Sequence, residues 1–235
     1  RTKNLTDAAK KRGSLEQKKE ELKIRETNLL ENQLEQKSLL ETTKNQERLY
    51  QKLVSDLEKK QSTISNEIEW IEEELRKKVD ISLLPQKRPG VLEKPTDGII
   101  SQNFGATAFA LRGGYRGKFH NGIDIAAITG TPIVAAEDGI ILKILDQDRY
   151  CKKAAYGKYI VIKHDNNLTT LYGHMSAFGK FKEGERVKRS DVIGYVGKTG
   201  YATGPHLHFT VYSGLTFYIG GSRSCGPMPF GGYLN

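Results

Sequence analysis

The sequence predicts an α + β protein whose two kinds of structure lie in separate parts. A long N-terminal coiled-coil helix comes first, and a mostly antiparallel β-sheet domain follows. Three observations carry this. Residues 1–94 hold 39 charged residues and 2 Gly, whereas residues 95–235 hold 26 charged residues and 22 Gly. A seven-residue apolar repeat runs through the first part, and short β-branched and aromatic runs bounded by glycine fill the second. The first composition suits a solvated helix, the second strands and tight turns.

The helix is read from its period. Stepping by seven from Leu15 gives Leu22, Leu29, Gln36, Thr43, Tyr50, Leu57, Ile64 and Ile71. The matching row is Lys19, Glu26, Gln33, Leu40, Glu47, Val54, Gln61, Ile68 and Leu75. One register holds without Pro or Gly after Gly13, which is coiled-coil periodicity. A helix over 14–78 would span about 95 Å. Its seam is apolar from Tyr50 onward and mostly polar before, which argues against a tight, permanent homodimer. An antiparallel hairpin or a regulated contact with a protein partner is expected instead, with Gly13, after Lys10, Lys11 and Arg12, as the candidate turn. Pro85, Pro89, Gly90 and Pro95 then forbid further helix. These breaks set a helical arm at 1–79, a Pro-rich linker at 80–94 and a β domain at 95–235.

Strand-length runs fall at 139–145, 159–163, 167–172, 191–196 and 206–212, separated by turns. Four of the five histidines cluster near them, in His120-Asn-Gly-Ile-Asp124, Tyr172-Gly-His174 and Gly204-Pro-His206-Leu-His208-Phe209. Alternate residues of a strand share a face. Leu207, Phe209 and Val211 form an apolar face for the core, so His206, His208 and Thr210 point outward or into a groove. His120 and Asp124 share a face if that segment is extended. Three protein ligands and an open position make a catalytic zinc site. Each motif alone is modest; together they are a specific metal-site constellation. His164 lies outside the set and reads as structural.

Composition excludes several alternatives. No stretch approaches the roughly 18 apolar residues of a membrane span. The net charge of +9 permits nucleic-acid binding, but the basic residues neither form a long run nor alternate with aromatics. No nucleic acid is expected. Two cysteines are too few for a disulfide scaffold and lack metal-site spacing. The chain opens with Arg, so the natural N-terminus is expected upstream, and both ends are expected to be cut.

The motifs His120-Asn-Gly-Ile-Asp124, Leu171-Tyr-Gly-His174-Met-Ser176 and Thr199-Gly-Tyr-Ala-Thr-Gly-Pro-His206-Leu-His208-Phe209 resemble those of the lysostaphin/LytM-type zinc endopeptidases of bacterial cell walls. The resemblance covers about residues 95–235. It implies Zn²⁺ held by His120, Asp124 and His208, with His174 and His206 as the catalytic pair. It implies hydrolysis of peptide bonds in peptidoglycan, with stem-peptide cross-links favoured, by a protein exported to the bacterial cell envelope. That oxidising setting implies a Cys151–Cys225 disulfide. Tyr201, Asn103, Arg116 and Tyr115 sit beside the motifs and are candidate peptide contacts. The arm is expected to restrain the peptidase until a partner moves it. The alternative is a regulator that docks through the coiled coil to a division-associated membrane complex, with little activity of its own.

Overall fold

The computed structural model describes residues 2–111, 119–222 and 225–234. The first element is a single helix, α1, Thr2–Arg76. Straight-chain Leu, Glu, Lys and Gln dominate it, residues that lose little side-chain freedom in a helix. It continues through Gly13, so the expected hairpin turn does not form there. One internal glycine costs only about 1 kcal/mol against alanine, too little to break so long a helix. Among the described residues no second long helix exists to pair with it. The other α-helix, α2, is Ala108–Leu111. Among the described residues a coiled coil is therefore not formed.

The chain divides into two compact units, Arg1–Ser55 and Asp56–Asn235. In the first, the apolar residues from Leu29 to Leu53 are exposed. The second holds the last turns of α1 together with the whole β region. The helix ends as its final amides shift partner, Lys78 N–H donating to Leu75 O and Val79 N–H to Arg76 O. Asp80 then caps a short 3₁₀ turn, Ile81–Leu83, by accepting from Ser82 N–H. Pro85 and Pro89 keep the following stretch out of helix.

Twelve strands follow among the described residues. They are β1 Ile99–Gln102, β2 Ile123–Ala126, β3 Pro132–Val134, β4 Gly139–Asp146, β5 Lys158–His164 and β6 Leu168–Gly173. After these come β7 Ala177–Phe178, β8 Arg186–Val187, β9 Val192–Tyr195, β10 His206–Ser213, β11 Tyr218–Ser222 and β12 Gly226–Phe230. A seven-stranded antiparallel sheet has the order β1-β2-β10-β6-β5-β4-β8. A three-stranded sheet, β3-β9-β7, and the hairpin β11-β12 complete the fold.

The central strands are buried on both faces, which is why their sequences are nearly continuous apolar runs rather than alternating ones. Ile160 and Ile162 of β5, Tyr172 of β6 and Leu207 and Phe209 of β10 join a core shared with Ile133 and Ile193 of the smaller sheet. Tyr159, Val161, Leu171 and Tyr212 face the other way. They meet Ile64 of α1, with Ile68, Ile71 and Leu75 beside it, and Met228 and Phe230 of the hairpin. The helical seam from Ile64 to Leu75 thus packs on the β domain. Each fully buried apolar side chain there contributes about 1.5–3 kcal/mol. The disulfide Cys151–Cys225 staples the loop after β4 to the β11-β12 hairpin across a separation of 74 residues.

Candidate metal centre and its groove

Strand register assembles the site. On β10, His208 lies directly opposite Asp124 of β2 and, on its other side, opposite Gly173 of β6. Directly opposed residues hold their Cβ atoms about 5 Å apart, so the register alone places Asp124 and His208 together. It also sets His174, one residue beyond Gly173, at the same level. His120 enters through a bridge to Gly105, with both backbone hydrogen bonds at 2.9 Å. Gly122 lets this segment lie close to β10. A Cβ there would come within 2.4 Å of Phe209 O and 2.6 Å of Thr210 Oγ1.

His120, Asp124 and His208 converge as one buried group whose ligand atoms lie within 4.8 Å of one another. His120 Nε2 is 3.2 Å from Asp124 Oδ1, His208 Nδ1 is 3.0 Å from the same oxygen, and the two ring nitrogens are 3.1 Å apart. Tetrahedral zinc with bonds of about 2.0–2.2 Å sets its ligands about 3.3–3.5 Å apart, so the donor set fits. The far ring nitrogens fix which atoms face inward. His120 Nδ1–H donates to Asn103 O at 2.9 Å. His208 Nε2 lies 2.8 Å from Thr210 Oγ1, which can accept its proton. Both arrangements leave a lone pair directed at the centre. Two lone pairs and a carboxylate crowded together repel unless a cation joins them. Burial alone would raise the Asp124 carboxyl. The hydrogen bonds and charge of His120 and His208 outweigh it and hold the group well below the usual carboxylate range.

His174 and His206 stand beside this centre, their rings 4.6 Å apart between centroids. His174 adopts a left-handed backbone, φ 62°, a conformation that non-glycine residues enter at a cost and that collects at functional sites. Its N–H donates to Tyr156 O, and its Nδ1–H donates to Thr199 O at 2.8 Å. His206 Nδ1–H donates to Gly204 O at 2.9 Å, while its Nε2 lies 3.7 Å from Asp124 Oδ1. Burial first, then the neighbouring His206 and His208, push the His174 imidazole down to about 3. It therefore stands neutral, with Nε2 as an acceptor.

Residues 118–218 match Peptidase family M23. This stretch of the chain is similar to that family, and it carries the histidines and the aspartate described above. It is 46% identical over 92 residues to the DD-carboxypeptidase/endopeptidase Mpg of Neisseria meningitidis, a match covering 39% of this chain and 20% of that protein. The peptidoglycan DD-endopeptidase ShyC of Vibrio cholerae is 42% identical over 96 residues, covering 39% and 20%. The solved structure of Helicobacter pylori Csd3 superposes with a TM-score of 0.41 at 38% identity, covering 58% of this chain and 32% of that one. The chain thus spans about a fifth of the length of the curated relatives it matches.

The cavity in front of these histidines is walled on one side by α1. Gln61, Ser65, Ile68, Glu69 and Glu72 line it together with His120, Asn121, Tyr156, His174, Tyr201 and His208. Three side chains anchor the helix. Gln61 Oε1 accepts from Ala155 N–H at 3.3 Å, Glu67 Oε2 from Ser222 Oγ at 2.7 Å, and Glu72 Oε2 from Asn121 Nδ2 at 2.9 Å. Arg76 lies over the Tyr233 ring at 5.2 Å. Behind His174, Gly157 and Gly200 press together with positive φ. A Cβ on Gly200 would come within 2.3 Å of Gly157 N and 2.5 Å of Ala155 O.

Of the further candidates from sequence, Tyr201 lines the cavity. Asn103 acts through its carbonyl, as the acceptor for His120. Arg116 and Tyr115 lie outside the described residues. His164 is buried, with Nδ1 3.0 Å from Asp138 O and Nε2 2.7 Å from Thr170 Oγ1, a satisfied core histidine. Sequence reasoning missed Thr199, Thr210, Asn121, Gln61 and Glu72. Thr210 alone carried a signal, because it shares the histidine face of β10.

Proposed function

We infer that this chain is a zinc-dependent endopeptidase that hydrolyses peptide bonds of bacterial peptidoglycan, with stem-peptide cross-links as the favoured substrate. One observation carries the reading. A complete His120–Asp124–His208 ligand set sits beside a second pair of histidines, each anchored through Nδ1 to a backbone carbonyl, with His174 lining the cavity. The endopeptidase names of the M23 relatives support the substrate class.

Bound zinc supplies Lewis-acid polarisation of the scissile carbonyl and lowers the pKa of water toward about 7. The chain's own residues do the rest. His120, Asp124 and His208 hold the ion. His174 and His206 are the catalytic pair. One accepts the proton of the attacking water at Nε2, and the other hydrogen-bonds the developing oxyanion or returns a proton to the leaving amine. The Thr199 and Gly204 carbonyls hold both rings by Nδ1–H, so that Nε2 is the nitrogen of each at which a proton is taken up and given back.

The arm at 1–79, the linker at 80–94 and the domain at 95–235 are the functional division. The exposed apolar residues of α1 between Leu29 and Leu53 support pairing with a partner helix. The Cys151–Cys225 disulfide supports a place in the cell envelope, outside the cytoplasm. No helix of the described residues is long and apolar enough to cross a membrane. The same exposed stripe favours a second reading, a regulator that docks through α1. The deciding experiment is mass spectrometry of fragments released from purified peptidoglycan by the zinc-loaded chain. New termini mapping to one peptide bond support the peptidase, whereas no release at full zinc occupancy supports the regulator.

A further inference from the structure

We propose that Gln102 is a positioning residue of the metal centre, which ties the second oxygen of Asp124 so that zinc meets this carboxylate through Oδ1 alone. The proposal rests on the zinc reading above and not on hydrolysis.

An irregularity in strand pairing delivers the side chain. β1 and β2 run antiparallel, with Ile99 opposite Ala126 and Ile100 opposite Ile125. Regular pairing would set Ser101 opposite Asp124, but the register shifts at this point and Gln102 takes that place. Opposed residues share a face of the sheet, and a slip by one residue exchanges the faces. A bulge of this kind re-aims a side chain. It brings Gln102, rather than Ser101, to the face of Asp124. Ser101 Oγ donates instead to the backbone carbonyl of Asp124 at 3.3 Å.

The two carboxylate oxygens of Asp124 then have different surroundings. Oδ1 lies 3.2 Å from His120 Nε2 and 3.0 Å from His208 Nδ1. Oδ2 accepts from Gln102 Nε2 at 3.2 Å. The amide is itself oriented, because Thr107 Oγ1 donates to Gln102 Oε1 at 3.2 Å. With its oxygen so engaged, Gln102 presents its donor end to the carboxylate. The next residue, Asn103, holds His120 Nδ1 with its carbonyl. Three consecutive residues at the end of β1 thus hold two of the three ligands.

A carboxylate free to turn can offer a cation both oxygens and fill the position that a catalytic zinc site keeps open. Hydrogen bonds to the outer side of a ligand prevent this, and losing one typically costs about 10–100-fold in metal affinity. A neutral amide suits the task. A carboxylate in its place would itself be a ligand, and a cationic side chain would repel the ion.

The test compares the intact chain with its Gln102→Met variant, whose unbranched side chain has no donor. Zinc affinity is read by competition with a chromophoric chelator. Co²⁺ in place of zinc reports the coordination number through its visible absorption. The expected result is zinc binding weaker by about 10–100-fold, with fainter cobalt bands as Asp124 adds its second oxygen. The thermal midpoint of the metal-free variant stays at that of the native chain. If Gln102→Met does not fold, Thr107→Val, which leaves the amide unlatched, is read in the same way. Equal zinc affinity or unchanged cobalt bands in the folded variant overturns the role of Gln102. Weaker binding with a lowered metal-free midpoint overturns it as well, in favour of a packing role. Failure of the native chain to bind zinc at all removes the zinc reading together with the proposal, so the two failures are distinct.

Discussion

Four histidines in one small volume divide their labour by what each far nitrogen touches. His120 and His208 are bonded so that their free lone pairs meet at Asp124 Oδ1, at 3.2 and 3.0 Å; His206 Nε2 stands farther off at 3.7 Å, and His174 is tied through Nδ1 to Thr199 O. Replacing His208 with Ala is therefore expected to abolish zinc binding and hydrolysis together. His206→Ala is expected to retain zinc and lose hydrolysis by about 10²-fold or more. Metal analysis alongside fragment release checks both, and hydrolysis unchanged in either variant rejects the assignment. Glu72 offers a second residue-scale expectation. Burial first, against the bond from Asn121, raises its carboxyl from an ordinary 4.5 to about 8. The facing phenols of Tyr156 and Tyr212 are themselves pushed up by burial and keep their protons. A raised folded value means that the contribution of Glu72 is fully present below pH 4.5 and is lost as pH rises through about 8. The thermal midpoint of the native chain should thus fall relative to Glu72→Gln across that window, and a constant difference between the two would contradict the shift.

At the scale of elements, the strands were legible and the use of the helix was not. The runs at 139–145, 159–163, 167–172, 191–196 and 206–212 correspond to β4, β5, β6, β9 and β10; burial on both faces keeps β5, β6 and β10 largely β-branched and aromatic, whereas β4 and β9 carry exposed apolar positions as well. Short edge pieces such as β7 and β8 carry two residues each and leave no period to read. The heptad rows were visible from Leu15 to Leu75, but a seam does not declare its partner. From Ile64 onward that partner is the β domain, and the information lies in the tertiary cluster that Ile64 shares with Tyr159 and Tyr212. Unfolding in denaturant separates the two uses. Ile64→Ala is expected to destabilise the second unit by about 2–5 kcal/mol, whereas Leu40→Ala at an exposed position should stay within about 0.5 kcal/mol. Similar losses at both sites would mean that the seam is uniformly buried.

For the molecule as a whole, the long-range closures were the least readable. Spacing suggested which histidines belong together, but Thr199 is 25 residues from His174 and Gln61 is 94 residues from Ala155. No local pattern links such pairs. The disulfide is the covalent version of such a closure. Removing it with Cys151→Ser and Cys225→Ser is expected to lower unfolding free energy by about 4 kcal/mol in the chain-entropy model. In the native chain, thiol alkylation under non-reducing denaturation should add no mass. Gly157 and Gly200, back to back behind His174, carry a consequence of another kind. Neither offers an atom to the chemistry, yet a methyl group on Gly200 would drive apart the segment holding Thr199 O and the loop holding Ala155 N–H. In a saturation scan scored by hydrolysis, both glycines should therefore behave as though they were catalytic, intolerant even of alanine while zinc content stays normal.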